Sequence, residues 1–151
     1  MLREEINAAL KTAMKARDAK TLSTLRLVAA ALKDRDIQAR SEGSEDEVSD
    51  EEILALLQKM IKQRRESIKM FEEAGKSEAA AGEEAEIDVI QRFLPKALSE
   101  EEIKAAIADL IEELQPTGMQ DMGKIVGALK SRFAGQVDMA TAAPLVKQAL
   151  A

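Results

Sequence analysis

Residues 49–75, SDEEILALLQKMIKQRRESIKMFEEAG, contain the longest amphipathic pattern in the chain. Ser49 and Glu52 stand in the order of a capping box, in which both side chains satisfy free amides at a helix start. The apolar side chains that follow recur every three or four positions, which places them on one helix face; they are Ile53, Leu54, Leu57, Met60, Ile61, Ile68 and Phe71. The pattern ends at Gly75 and predicts a helix of about 25 residues, roughly 37 Å long, which suits an elongated bundle.

Shorter helical patterns lie on both sides of this segment. An apolar residue recurs every four positions near the start, and a second stripe has spacings of three and four, so the two predict a helical hairpin; the stripes are Leu2, Ile6, Leu10, Met14 and Leu22, Leu25, Val28, Ala29, Leu32. Residues 41–48 lack such a pattern and predict an exposed, mobile connection. Residues 77–94 predict a fourth helix, which ends at Pro95. Residues 1–95 therefore form a predicted N-terminal domain of about four helices.

Residues 96–151 predict a smaller domain. Ser99 and Glu102 repeat the capping-box arrangement before a helix over residues 100–114. A second helix is predicted over residues 122–133. The last helix is predicted to start near Thr141, because Pro144 is tolerated in a first turn whose amides have no helical partner. The predicted fold class is therefore all-α, with an elongated N-terminal domain and a C-terminal three-helix bundle.

The composition limits the chemistry that this chain can perform. Charged residues make up 33% and aromatic residues 2%, and cysteine and histidine are absent. A thiolate nucleophile, an imidazole base and a zinc site of the usual kind are therefore excluded. The few aromatic residues argue against binding by stacking on nucleic-acid bases. The net charge of −6 opposes general affinity for polyanions, so a nucleic acid would need a local basic face.

The sequence also predicts where the protein acts and what it lacks. No apolar run resembles a signal peptide or approaches the roughly 18 residues of a membrane span, so a cytoplasmic protein without membrane contact is predicted. The acidic run at residues 45–52 lacks the alternating oxygen ligands and turn glycine of a calcium loop. We therefore predict no metal site, no cofactor and no catalytic residues.

The most informative stretch is Asp121-Met122-Gly123-Lys124-Ile125-Val126-Gly127. Each glycine inside a helix costs about 1 kcal/mol relative to alanine, so another interaction should favour it. Either another helix packs closely against the glycines, which the residues alone favour, or an RNA phosphate approaches them beside Lys124. From Asp121 onward there are four cations and two acids, whereas residues 99–114 hold one cation and six acids. This polarity allows weak, one-sided RNA binding at most.

Two other groups of charges have competing interpretations. The run Lys59, Lys62, Arg64, Arg65 and Lys69 could follow phosphates, but a solvated face in which Glu66 pairs with Lys62 is favoured. Arg26 lies near the apolar stripe of the second helix. For Arg26, an ion pair with a carboxylate such as Glu86 is favoured over a contact with a ligand.

An ordered set of short motifs extends along nearly the whole chain; it comprises Leu25-Arg26-Leu27, Lys62-Gln63-Arg64-Arg65-Glu66-Ser67, Phe93-Leu94-Pro95, Leu98-Ser99-Glu100-Glu101-Glu102, Asp121-Met122-Gly123-Lys124 and Leu145-Val146-Lys147. In this order and spacing they resemble the YqeY-like family. The resemblance implies a C-terminal domain similar to the GatB/YqeY tail domain of aspartyl/glutamyl-tRNA amidotransferase. That tail helps to hold tRNA while other domains transfer ammonia from glutamine, and the family is accordingly grouped with carbon–nitrogen ligases that use glutamine as amido donor.

The resemblance implies a tRNA-linked accessory protein, for which the ligase label describes kinship rather than activity. Its predicted nucleic-acid-binding residues are Gly123, Lys124, Gly127, Lys130, Arg132 and Lys147. The predicted partner is tRNA, bound weakly through its backbone. The alternative is a protein-interaction module that docks on a translation or amidotransferase enzyme without contacting RNA. Two departures from the family pattern, Ala142-Ala143-Pro144 and Asp138-Met139, indicate a different turn before the last helix.

Overall fold

The computed structural model describes all residues 1–151 and contains seven α-helices, one short 3₁₀ helix and no strand, which confirms the predicted all-α class. The chain divides into two compact units, Met1–Leu94 and Pro95–Ala151. The first unit contains α1 (Leu2–Ala16), α2 (Ala19–Ser41), α3 (Asp50–Glu73) and α4 (Ser77–Gln91); the second contains α5 (Glu100–Leu114), the 3₁₀ helix (Met119–Asp121), α6 (Met122–Arg132) and α7 (Met139–Leu150). None of the helices is both long and apolar enough to cross a membrane.

The first unit is built around the apolar face of α3. Ile53 and Leu57 on α3 are almost completely buried against Ile6 of α1, Val28 of α2 and Ile90 of α4. Burying each such side chain contributes about 1.5–3 kcal/mol relative to leaving it exposed. The core therefore joins residues from all four helices.

The predicted stripe of α1 holds at its start and fails at its end. Leu2 and Ile6 are buried, but Met14 is 51% exposed and Ala13 is buried in its place. At 3.6 residues per turn, a spacing of four advances around the helix by about 40° each time, or about 120° from Leu2 to Met14. Residues spaced by four thus turn away from the core by the third step, at Met14.

Two helices begin at serines as predicted, but only one of the two capping boxes is complete. The Ser99 hydroxyl accepts from the Glu102 amide at 3.1 Å while the Ser99 amide donates to the Glu102 carboxylate at 3.2 Å, a complete capping box. Ser49 accepts from the Glu52 amide at 3.2 Å, but the Glu52 carboxylate lies 3.4 Å from Arg35 of α2. A tertiary ion pair therefore replaces half of the local cap.

The end of the connection between α2 and α3 is held in place by a charge cluster, whereas the mobility of the connection stays a prediction. The Asp36 carboxylate of α2 accepts two hydrogen bonds from Arg3, at 2.8 and 2.9 Å, and one from the Val48 amide at 3.1 Å. Glu47 pairs with the Arg3 Nε at 3.1 Å, and Val48 is buried. The hydrogen bonds from Arg3 hold the pKa of Asp36 below its ordinary value of 3.8. Residues 41–47 remain exposed.

Replacing Asp36 with asparagine is expected to lower the free energy of unfolding by about 1–3 kcal/mol at pH 7, because partly buried donors lose a charged acceptor. Since the folded pKa lies below the unfolded one, this contribution is fully present above pH 3.8 and is lost as the pH falls through the folded pKa. Urea unfolding of the unmodified protein and of the Asp36→Asn variant should therefore show a difference in the free energy of unfolding that narrows towards about pH 3. An equal difference at pH 7 and pH 3 would contradict the stabilising role of the ionised Asp36 carboxylate.

Glu86 of α4 has a different partner from the predicted one. Arg64 of α3 donates its Nε to Glu86 at 2.9 Å and its Nη1 to the Met60 carbonyl at 3.1 Å, and its side chain is only 13% exposed. Arg26 is exposed and has no ion pair, so the favoured Arg26–Glu86 pair is wrong. Arg64 follows Leu57 by seven residues, two helical turns along the buried face, and this spacing could have identified it.

The second unit packs α5, α6 and α7 around one core. Ile107 and Leu110 of α5 meet Ile125 and Leu129 of α6 and Val146 of α7, and all five are essentially buried. The segment before α5 is attached to this unit, because the Leu98 amide donates to the Gln136 carbonyl at 2.9 Å. That residues 1–95 and 96–151 form two separate domains stays a prediction.

The last helix begins two residues before the predicted start. Asp138 caps it by accepting from the Ala140 amide at 3.0 Å, so the helix starts at Met139. Pro144 therefore lies inside the helix and not in its first turn, and it cannot donate to the Ala140 carbonyl. Ala140 is exposed, so water can satisfy that carbonyl.

Candidate nucleic-acid interface

The candidate interface is the solvent side of α6. Ile125 and Leu129 face the core, and a turn of about 100° per residue carries Gly123, Gly127 and Lys130 to the other side of the helix. All three are exposed. The two glycines and Lys130 lie within about 60° of one another around the axis. The helix therefore presents a strip of bare backbone that ends at a lysine.

Neither glycine packs against another part of the chain. No atom lies within 4 Å of the position that a Cβ would occupy at Gly123 or at Gly127. The helix packing that the residues alone favoured is therefore wrong. Since both glycines lie inside a regular helix, the loss of about 1 kcal/mol at each relative to alanine has no compensation within this protein.

Lys124 lies in the first turn of α6, beside the glycine strip. Its ammonium is 3.5 Å from the Asp121 carboxylate, and its side chain is 74% exposed. Asp121 also accepts from the Thr117 amide at 2.9 Å and the Thr117 hydroxyl at 3.0 Å, and the amide hydrogen bond is the main cause of its lowered pKa. Because Asp121 is held by Thr117 and does not cap α6, the first turn has no side-chain cap. Such an exposed ion pair is weak and leaves Lys124 available to another anion.

Arg132 is separated from the glycine strip. It follows Gly123 by nine residues, about 180° around the axis, and its guanidinium donates to both oxygens of Glu113 on α5 at 2.7 and 2.5 Å. This bidentate pair raises the pKa of Arg132 and lowers that of Glu113. Arg132 thus has a structural partner that joins α5 to α6, and its contact with nucleic acid stays a prediction.

Lys130 and Lys147 are the other predicted cations. Lys130 is on α6 and Lys147 is in the last turn of α7; both are exposed and neither forms an ion pair. Four of the six predicted residues, Gly123, Lys124, Gly127 and Lys130, thus belong to the exposed side of one helix. The remaining two are Arg132, which is bound to Glu113, and Lys147, which lies on the neighbouring helix.

The first unit contains a separate open groove of about 970 Å³ between the start of α2 and the exposed face of α4. Small side chains leave this space, among them Ala81, Gly82 and Ala85. Five acids and two cations line it, so its charge opposes a phosphate ligand. Nothing in the sequence indicated this groove, because alanine-rich helices have no distinctive pattern. No three acidic side chains of the protein come together in a group that could hold a metal ion.

Residues 3–150 match the profile of a family described as "Yqey-like protein". The chain is also similar to "Altered inheritance of mitochondria protein 41, mitochondrial" of Lachancea thermotolerans, at 32% identity over 108 residues that cover 70% of this chain and 56% of the relative. The protein of the same name from Pyrenophora tritici-repentis is 27% identical over 133 residues, or 87% of this chain and 70% of the relative. An uncharacterized protein of Schizosaccharomyces pombe is 30% identical over 98 residues, or 65% of this chain and 76% of that protein.

The extent of these matches differs between the family and the individual relatives. The family profile extends over almost the full sequence. The chain spans little more than half the length of the Lachancea relative, at 56%. The names of the two fungal proteins give a mitochondrial location for those proteins and state no activity.

Proposed function

The chain belongs to the YqeY-like family, and from this membership we propose that its second unit binds the phosphate backbone of tRNA, as an accessory to amidotransferase or translation enzymes. The observation that carries the proposal is the bare strip at Gly123 and Gly127, which no part of the protein covers. Lys124 and Lys130 lie on the two sides of this strip. An RNA backbone that lies along the strip can approach the helix backbone, and its phosphates can pair with both lysines.

The first turn of α6 gives this proposal electrostatic support. The amino end of a helix carries partial positive charge, which attracts anions and disfavours a cation such as Lys124. Asp121 offsets this only in part, because its carboxylate is turned towards Thr117. An RNA phosphate would replace Asp121 as the partner of Lys124.

The proposed role is binding rather than catalysis. The family's association with carbon–nitrogen ligases that use glutamine as amido donor then expresses kinship with a larger enzyme whose other domains perform the transfer. We propose that the protein acts in the cytoplasm; the mitochondrial names belong to the fungal relatives. Because all contacts are to phosphates, the binding should depend strongly on salt and little on RNA sequence.

Replacing Gly123 and Gly127 together with alanine is expected to stabilise the protein and weaken tRNA binding. Open space at both positions accepts a methyl group, and alanine favours the helix by about 1 kcal/mol at each. The same methyl groups would hold an RNA backbone away from the helix. Urea unfolding and a salt titration with total tRNA measure the two effects. A stabilised variant with unchanged tRNA affinity would show that no phosphate approaches these glycines.

The second candidate function is docking on a translation or amidotransferase enzyme, and one observation favours it. Leu27 on α2 is 46% exposed beside the unpaired Arg26, so an apolar side chain and a free cation adjoin on one surface. Arginine is enriched at protein interfaces, and an exposed apolar side chain beside it offers further surface to bury. Binding of the purified chain to a purified glutamine-dependent amidotransferase after nuclease treatment, lost on replacing Arg26 and Leu27 with alanine, would favour this function over RNA binding.

A further inference from the structure

A second basic surface lies on α3 of the first unit. Between residues 53 and 71 this helix carries five cations and one acid, in a chain whose net charge is −6. Arg64 points inward to Glu86, and the other four cations are exposed. We call these four the cationic stripe; they are Lys59, Lys62, Arg65 and Lys69. The attraction of a polyanion depends on where the cations lie, so a local basic surface can bind one although the net charge of the protein is negative.

The cationic stripe is not neutralised within the protein, although Glu66 lies on the same side of α3. None of its four residues forms an ion pair, and the pair between Lys62 and Glu66 that the sequence favoured does not form. Lys62, Arg65 and Lys69 are spaced by three and four residues, where like charges on a helix repel by about 0.2–0.5 kcal/mol per pair. A solvated helix face normally relieves this repulsion by mixing both signs of charge. On α3 five of the six acids lie in the first and last turns, and Glu66 is the one acid within the length of the stripe.

The dimensions of the stripe fit a row of anions better than a single one. Neighbouring cations are separated by about 5–6 Å between Cβ atoms. The stripe extends for about 15 Å along the axis from Lys59 to Lys69. Its exposed large apolar neighbour is Met70, at 69% exposure, and it has no aromatic residue. It therefore lacks both the broad apolar face of a membrane-surface helix and the rings that stack on bases.

We propose that the cationic stripe is a second binding surface for the phosphate backbone of RNA, independent of the surface on α6. The proposal rests on the proposed function in that the ligand is again RNA, but different residues carry it. Each cation contacts one phosphate and releases counterions from the RNA. The stripe contributes affinity without sequence preference.

The test replaces Lys62, Arg65 and Lys69 with glutamine in the full chain and measures binding to total tRNA as a function of salt. Each lost phosphate contact lowers the slope of log affinity against log salt by about 0.7–0.9, so a decrease of about two to three is expected. The matched control replaces Lys11, Lys15 and Lys33, three exposed lysines of α1 and α2 without ion pairs, and removes the same charge. Its slope should stay near that of the unmodified protein. Urea unfolding establishes that all variants are folded.

The outcomes separate this inference from the proposed function. If the stripe variant loses affinity and a Lys124→Glu/Lys130→Glu variant does not, the inference stands and the surface on α6 is wrong. If the stripe variant binds tRNA like its control, the inference is overturned, whatever the α6 variant does. Binding of polyglutamate that needs the stripe, with unaffected tRNA binding, would overturn it in favour of an acidic protein. No tRNA binding by the unmodified chain even at low salt would overturn both.

Discussion

The double substitution Lys124→Glu/Lys130→Glu is expected to reduce the affinity for total tRNA roughly 30-fold or more at about 0.1 M salt, with a salt slope smaller by about two. Both lysines lie beside the glycine strip of α6, and Lys130 has no ion pair. The weak pair between Lys124 and Asp121 would be replaced by a repulsion between two acids near the proposed path of the RNA. The expected loss is therefore larger than neutralisation alone would cause.

A matched variant separates local contacts from the total charge. Lys11→Glu/Lys15→Glu makes the same change of net charge on the exposed side of α1, where neither lysine forms an ion pair. It should bind tRNA with at most a small loss, because the proposed contacts to phosphates involve no residue of α1. Equal losses in the two variants would mean that net charge alone governs binding, and the proposed surface on α6 would be abandoned.

Leu57→Ala is expected to lower the free energy of unfolding by about 2–5 kcal/mol. Leu57 is completely buried on α3 and belongs to the cluster that joins the four helices of the first unit. Truncation removes its transfer free energy and leaves a cavity that the surrounding helices fill only in part. Urea unfolding followed by circular dichroism measures this change as a lower denaturation midpoint at an unchanged slope.

The matched control for the core is Leu27→Ala, the same chemical change at a leucine of α2 that is 46% exposed. Substitutions at exposed positions away from caps and charge networks usually change the stability by less than about 0.5 kcal/mol. If both leucine variants lost similar stability, the division between core and surface in the first unit would be incorrect. The Leu27 variant also bears on the alternative function, since that leucine adjoins Arg26 on the candidate protein-docking surface.

The groups of charges illustrate what sequence patterns predict poorly. The motif Lys62-Gln63-Arg64-Arg65-Glu66-Ser67 looks uniformly polar, yet its Arg64 is nearly buried against Glu86 while Lys62 and Arg65 are exposed and unpaired. Helical periodicity from Leu57 could have assigned Arg64 to the inner face. The identity of its partner could not have been predicted in this way, because Glu86 lies 22 residues later, on another helix.

The sequence by itself determined the helical class, the family and the helix starts at Ser49 and Ser99, because caps and apolar periodicity depend on residues within one or two turns of each other. Only the tertiary structure decided that Gly123 and Gly127 face open space and that Glu86 pairs with Arg64. These features depend on how each helix is rotated about its axis and on which distant helix packs against it. Packing over the whole core sets that rotation, and no local pattern encodes it.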